Sequence, residues 1–374
     1  MRVLPLALLS TAISIGLSAC GGSSSDSGEP IEVPQVESLK ALSTTYMGAA
    51  VPAGYEDQFS NGIETRPELQ DVVIQHFDQI TAENIMKSAY IQPRQGDFTF
   101  QDADNLVDWA LDNNITVHAH ALVWHSQMPS WMENYQGDWL TMMDTHVSTV
   151  ADHFKGRVVS WDVVNEAFND NNDNGYATYR DTDANSGGHG SPWYQNLGKD
   201  YIPEAFKMAH AADSGAELYY NDYNIEDDGA KLASVLRMAD ELLADDIPID
   251  GIGFQMHVSY DWPSAQVIGT SFAKVVAKGL KVKVTELDIK MNPNGDRNTF
   301  TAAMAEEQKL RYQEIIKAYY DNVPANLRGG ITVWGVSDAD SWIPHFTGHN
   351  DWPLLFNSSL DQKPAIEGVA NELK

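Results

Sequence analysis

Cysteine is nearly missing from this chain: its 374 residues contain one, Cys20, so a disulfide framework is excluded. Positive charge is scarce as well. Lys and Arg total 24 against 53 Asp and Glu, a formal charge of −29, which repels nucleic-acid phosphates and leaves no basic footprint for them. The only long apolar run lies at the start, where Arg2 precedes an uncharged, mostly apolar stretch ending at Leu17. With roughly 14 residues rising about 1.5 Å each, that stretch falls short of a ~30 Å hydrocarbon core and reads as an export signal, not a spanning helix. Aromatic side chains, in contrast, are plentiful, with ten Trp and fifteen Tyr. Their faces suit the apolar faces of sugar rings better than they suit anions, which favours a neutral or weakly charged ligand. With 43% hydrophobic residues, the chain can bury a large core.

Cys20 closes the string Leu17-Ser18-Ala19-Cys20 and is followed at once by GGSSSDSGEP. This resembles a bacterial lipobox, which implies removal of residues 1–19 as a signal peptide and lipidation of the Cys20 thiol. Residues 20–37 then form the lipidated cysteine and a flexible Gly-, Ser- and Pro-rich tether. Gly21 in place of Asp leans toward the outer membrane by analogy with such lipoproteins. The expectation is an exported protein that touches the membrane through its lipid only. No second tether appears before Lys374, so residues 38–374 read as one domain, monomeric by default and without an appended sugar-binding module.

Within that domain, short β-branched or aromatic runs alternate with apolar patterns of helical period. Eight strands are expected, at Thr45–Val51, Gln79–Asn84, Thr116–Leu122, Val159–Glu166, Glu217–Tyr223, Gly251–Val258, Lys281–Ile289 and Gly330–Ser337. Eight strands alternating with helices point to the α/β class and a (β/α)8 TIM barrel, whose site lies at the C-terminal strand ends. Those ends carry TAEN, HAHALVWH, NEA, YYNDY, FQMHV, TELD and WGVSD. Loop-starting polar residues explain the Asp and Asn there, but not the Trp, His and Glu.

Two carboxylates stand apart from the surplus of surface acids. Glu166 in WDVVNEA and Glu286 in KVKVTELDI each end an apolar strand, where an unpartnered carboxylate is costly. Their spacing assigns them to strands four and seven, facing each other across the barrel mouth. Such a pair suits glycosidic bond cleavage, one group protonating the leaving oxygen and the other attacking the anomeric carbon.

At this point the chain resembles the endo-β-1,4-xylanases of glycoside hydrolase family 10. The matching segments are ITAENIMK (Ile80–Lys87), HALVWHSQMPSW (His120–Trp131), WDVVNEAF (Trp161–Phe168), YYNDYNIE (Tyr219–Glu226), GFQMH (Gly253–His257), VTELDI (Val284–Ile289) and WGVSDADSW (Trp334–Trp342). The resemblance implies xylan or xylo-oligosaccharides as substrate and a retaining mechanism with Glu166 as acid/base and Glu286 as nucleophile. An acid role asks for a Glu166 pKa raised toward neutrality, helped by the charge on Glu286. Asn165 is implied as a donor to the sugar 2-hydroxyl, His257 as the partner orienting Glu286, and Asp288 as the group fixing the His257 tautomer. Glycone-side sugar contacts fall to Glu83, Asn84, Lys87, His120, Trp124, Gln127, Trp334 and Trp342. Asn221, Tyr223 and Gln255 are implied around the cleaved bond and on the leaving-group side. No cofactor and no catalytic metal are implied.

The sequence departs from the family pattern at Ser88, where Trp commonly follows the Lys, and at Ala119, where Gly usually precedes the His. Both neighbour glycone contacts, so that subsite is expected to be reshaped. The Asx-rich stretch 169–174 and the insertion running to Trp193 lengthen the loop after Glu166 and are expected to alter the leaving-group end. Within it, Asp170–Asp181 follows a calcium-loop pattern with Asp181 at the bidentate position, against the simpler reading of a solvated loop. Three other functions fit parts of the pattern. A metal hydrolase would use the His118/His120 pair with His125, His257 and Asp288. A noncatalytic sugar-binding lipoprotein would not need both carboxylates. A related barrel β-glycanase would act on cellulose or mannan.

Overall fold

The computed structural model describes residues 31, 33–54, 62–181 and 190–373; the leader, Cys20 and most of the tether lie outside them. Among the described residues nine strands form: β1 (Met47–Val51), β2 (Gln79–Ala82), β3 (Thr116–Trp124), β4 (Ser160–Asn165), β5 (Glu217–Asp222), β6 (Gly251–Phe254), β7 (His257–Ser259), β8 (Lys281–Lys290) and β9 (Arg328–Val333). All pair in parallel. The order runs β6-β5-β4-β3-β2-β1-β9-β8, and β6 also pairs with β8, so eight strands close into a barrel without edges. Each expected strand is present. Helices Gln101–Asp112, Tyr201–Ala212, Ala230–Ala244 and Ala302–Asn322 cover the outside, where the sequence shows helical periodicity. The last is capped by Thr301, whose hydroxyl accepts from the Met304 N–H.

One strand differs from expectation in a way that matters. The run Gly251–Val258 breaks at Gln255–Met256, where Met256 takes φ 64°, a left-handed conformation uncommon for a residue with a side chain. The chain resumes as the short β7, which pairs with the far end of β8 in a register that sets His257 opposite Asp288. A straight strand of alternating residues does not give this placement.

The barrel interior contains polar groups among its apolar layers. Asp162 lies 2.9 Å from Nδ1 of His120 and 3.1 Å from Nε2 of His118, and all three are buried. Buried Lys283 bonds Gln79 and the Gly329 carbonyl, and burial lowers its pKa to about 8. His118 and His120 do share one strand face, as the H-x-H spacing requires, but the face is an interior one and their partner is a carboxylate. Among the described residues, no group of three or more His, Cys, Asp or Glu could hold a metal ion.

Candidate active site

The C-terminal strand ends open into a cleft of about 1680 Å³. Strand β4 ends at Asn165, and Glu166 follows with φ 58°, a left-handed turn costly for a non-glycine residue and held only where surroundings fix it. Here the Glu166 N–H donates to the Asn221 carbonyl at 2.9 Å, while the Arg180 Nε donates to the Glu166 carbonyl at 2.9 Å. The carboxylate accepts from Trp124 Nε1 at 3.0 Å and Gln255 Nε2 at 2.9 Å.

Glu286, on β8, accepts from Asn221 Nδ2 at 2.8 Å on one oxygen. Its other oxygen lies 3.2 Å from His257 Nε2, and His257 Nδ1 lies 2.9 Å from Asp288. Asp288 also accepts from the Trp342 indole at 2.8 Å. Gly253 makes room for this arrangement: a Cβ there would fall 2.5 Å from the Asn221 side-chain oxygen, a clash with the group that holds Glu286. The Asn165 side chain lies 3.0 Å from Asn221 and 3.2 Å from Gln255. A connected path of side chains therefore runs Glu166–Gln255–Asn165–Asn221–Glu286 across the mouth.

Electrostatics correct two expectations. Burial pushes the Glu166 pKa up, but His125, Gln255, Arg180 and Trp124 together outweigh it and hold the carboxyl below its ordinary value. For His257, burial favours the neutral ring, yet Asp288 and Glu286 raise its pKa to about 10. The ring is thus an imidazolium that donates from both nitrogens to two carboxylates, and Asp288 stabilises a cation instead of selecting a tautomer.

The other residues singled out in the sequence mostly converge. Glu83, Asn84, Lys87, His120, Trp124, Gln127, Tyr223, Gln255, Trp334 and Trp342 line the cleft together with Asn165, Glu166, His257 and Glu286. Lys87 donates to Asn84 at 3.0 Å and Gln127 at 2.8 Å, and its ammonium lies 4.8 Å from the Trp124 ring centre. Asn221 is the exception. It is 0% exposed and does not line the cleft, so it holds Glu286 and is not a sugar contact. The departures Ser88 and Ala119 are both buried, Ser88 at the first position of a short helix after Lys87.

The loop after Glu166 folds as a hairpin, with Phe168 bridged to Tyr179 and Asp173 to Tyr176. Its Asx side chains cap its own backbone: Asn171 accepts from the Thr178 N–H and Asn172 from the Gly175 N–H. Asp170 is taken by Lys231 at 3.1 Å and enters the cleft wall beside Tyr223 and Asn224. Asp170, the first position of the calcium-loop pattern, is thus already paired with a lysine. Trp193, at the end of the insertion, donates to the Trp124 carbonyl at 2.9 Å.

Sequence reasoning missed Arg180, Lys231 and Lys290, and the wall built by Asp338, Asp340, Phe346 and Trp352. Lys231 and Phe346 lie on helices, Lys290 at the far end of a strand and the others on loops, where residue type alone gives no direction. The YRD string and the exposed aromatic after Trp342 were the available signals.

A parallel eight-stranded barrel with two partnered carboxylates at the ends of its fourth and seventh barrel strands, in a cleft lined by amides and indoles, defines the barrel glycoside hydrolases as a class. Sequence comparison narrows this, since the profile of glycosyl hydrolase family 10 matches residues 37–372. The chain belongs to that family. It is 44% identical over 360 residues to endo-beta-1,4-xylanase Xyn10C of Cellvibrio japonicus, covering 90% of this chain and 58% of the relative. It is 43% identical over 356 residues to endo-1,4-beta-xylanase A of Cellvibrio japonicus strain Ueda107, covering 90% and 56%. The chain thus spans a little over half the length of these curated relatives. Native xylanase 10C from Cellvibrio japonicus superposes with a TM-score of 0.85 at 42% identity, over 92% of this chain and 74% of that one. A mutant of the same enzyme solved with xylopentaose gives 0.84 at 42% identity, over 90% and 69%.

Proposed function

We propose that this protein is a retaining endo-β-1,4-xylanase that hydrolyses xylan and xylo-oligosaccharides by double displacement. The observation that carries the reading is the hydrogen-bonded path joining Glu166 to Glu286, in a cleft of the residue types that sugar hydroxyls and ring faces need. The relatives named as xylanases and the xylopentaose complex of one of them support the same substrate class.

In the first step Glu166 donates its proton to the glycosidic oxygen as that bond breaks, and Glu286 attacks the anomeric carbon to form a glycosyl ester. In the second step Glu166 takes a proton from water, which attacks the anomeric carbon and releases Glu286. Because the charges of His125 and Arg180 and the donors Gln255 and Trp124 acidify the free Glu166, substrate must raise its pKa, by excluding water and by taking Trp124 or Gln255 as a partner. His257 and Asn221 hold Glu286 for in-line attack. Both proton transfer and covalent capture belong to side chains of this chain, so the reaction needs no metal or cofactor, and activity should survive EDTA.

Anomeric proton NMR during hydrolysis of xylotetraose, with cellotetraose and mannotetraose as controls, tests the whole reading. Initial β-products from the xylo-substrate alone support it. Initial α-products overturn retention, and preferential cleavage of another glycan moves the substrate. The lipobox-like string further motivates placement on the outer membrane through lipidated Cys20, as a monomer acting on soluble oligosaccharides near the cell surface. Cys20→Ser should release active enzyme into the soluble fraction, and specificity on insoluble xylan equal to that on xylotetraose would count against the oligosaccharide preference.

A further inference from the structure

The charges that line the cleft are nearly all committed to partners. Asp340 is held by Arg66 at 2.8 Å, Asp170 by Lys231 at 3.1 Å and Asp338 by Lys363 at 2.9 Å. Asp351 takes the backbone N–H groups of Met291, Asn292 and Trp352, and both central glutamates have the partners described above. Lys290 differs. It ends β8 four residues beyond Glu286, on the same alternating face, and it lines the same cleft. Its ammonium has one hydrogen bond, to the His257 carbonyl at 3.5 Å, and no carboxylate within ion-pair distance among the described residues.

An ammonium in the substrate groove of a chain with formal charge −29 would ordinarily be neutralised by a neighbouring acid. The carboxylates around this one are directed elsewhere, so Lys290 stands as a local positive point at the far end of β8 within an acidic protein. We infer that Lys290 docks a carboxylate carried by the substrate, making the groove selective for xylan with uronic acid branches. The inference rests on the xylanase reading and adds the recognition of an anionic substituent. An ammonium acts as a point charge with three rotatable donors, which suits a branch whose orientation varies along the polymer. A partly exposed ion pair of this kind contributes modestly and weakens with salt.

The test compares glucuronoxylan with the same polymer after its uronates have been reduced to neutral sugars, which keeps branch bulk and removes charge. The readout is the ratio of kcat/KM on the two polymers at low ionic strength. Lys290→Ala should lower that ratio roughly 3- to 5-fold, the size of one partly exposed ion pair. Lys290→Glu should lower it further and Lys290→Arg should keep it near wild type. Added NaCl should collapse the wild-type ratio toward that of the alanine variant. A ratio unmoved by the Ala and Glu substitutions overturns the inference, as does an equal loss on both polymers. Wild-type enzyme inactive on unbranched xylotetraose would instead remove the xylanase reading itself.

Discussion

Nδ2 of Asn221 donates to Glu286 at 2.8 Å and lies 3.0 Å from the Asn165 side chain, so a wholly buried amide on β5 links the strand of one carboxylate to the strand of the other. Thr285 in turn donates to the Asn221 oxygen at 2.7 Å, which fixes which end of the amide faces Glu286. Removing the donor frees the carboxylate to rotate away from the anomeric carbon. Asn221→Ala should therefore lower kcat on the order of 100-fold, as for a misplaced nucleophile. The positioning role is read from the rate of glycosyl-enzyme formation with an aryl xylobioside. Unchanged accumulation would show that Glu286 needs no such support.

The two carboxylates are separable by chemical rescue. Glu286→Ala should lose on the order of 10⁴-fold or more in kcat and, with azide, return the α-glycosyl azide, because the anion enters the space of the missing nucleophile. Glu166→Ala should still form the ester with a good leaving group and yield the β-glycosyl azide. Mass and anomeric coupling of the products check both, and the opposite stereochemistry in either variant would exchange the roles.

The acidified Glu166 predicts a difference between two pH profiles. The basic limb of kcat/KM reports the free enzyme's acid and that of kcat reports the complex. Since His125, Gln255, Arg180 and Trp124 hold the free carboxyl below its usual range, the kcat/KM limb should fall at lower pH than the kcat limb. Coincident limbs would mean that substrate does not change the Glu166 environment. Gln255→Ala removes one donor to the carboxylate and should move the kcat/KM limb upward.

The His257 imidazolium also predicts how stability varies with pH. Its folded pKa is raised to about 10 from an unfolded value near ~6.5, so its contribution is complete below the unfolded value and is lost as pH rises through the folded one. Wild-type melting temperature should decline between about pH 6.5 and 10 more steeply than that of His257→Gln. Parallel declines would show that the charge is not held in the folded state.

Phe346 tests the length of the cleft. It is 74% exposed, lines the groove, and its ring centre lies 5.1 Å from that of Trp342 one helical turn back. If a distal sugar covers this ring, Phe346→Ala should raise KM for xylohexaose roughly 5-fold, the order of partly burying one aromatic side chain, and leave xylotriose nearly unaffected. Equal effects on both substrates would place the ring outside the binding path.

Much of this protein is legible in order and period alone. Alternation of apolar runs gave all eight barrel strands, because a strand buried on both faces must be apolar and its neighbour must be a covering helix. Glu166 and Glu286 stood out because a carboxylate at the end of such a run has to be partnered. Tertiary structure alone decided the partners. The left-handed residue Met256 carries His257 to Asp288, buried Asn221 turns to Glu286 and away from the cleft, and Asp170 goes to Lys231. Each of these choices depends on backbone direction at a strand end and on the dielectric around a charge, and neither is encoded in local sequence period. The same physics reversed the expected direction at Glu166: burial predicts a weaker acid, but the charges of His125 and Arg180 together with donors from Gln255 and Trp124 outweigh it.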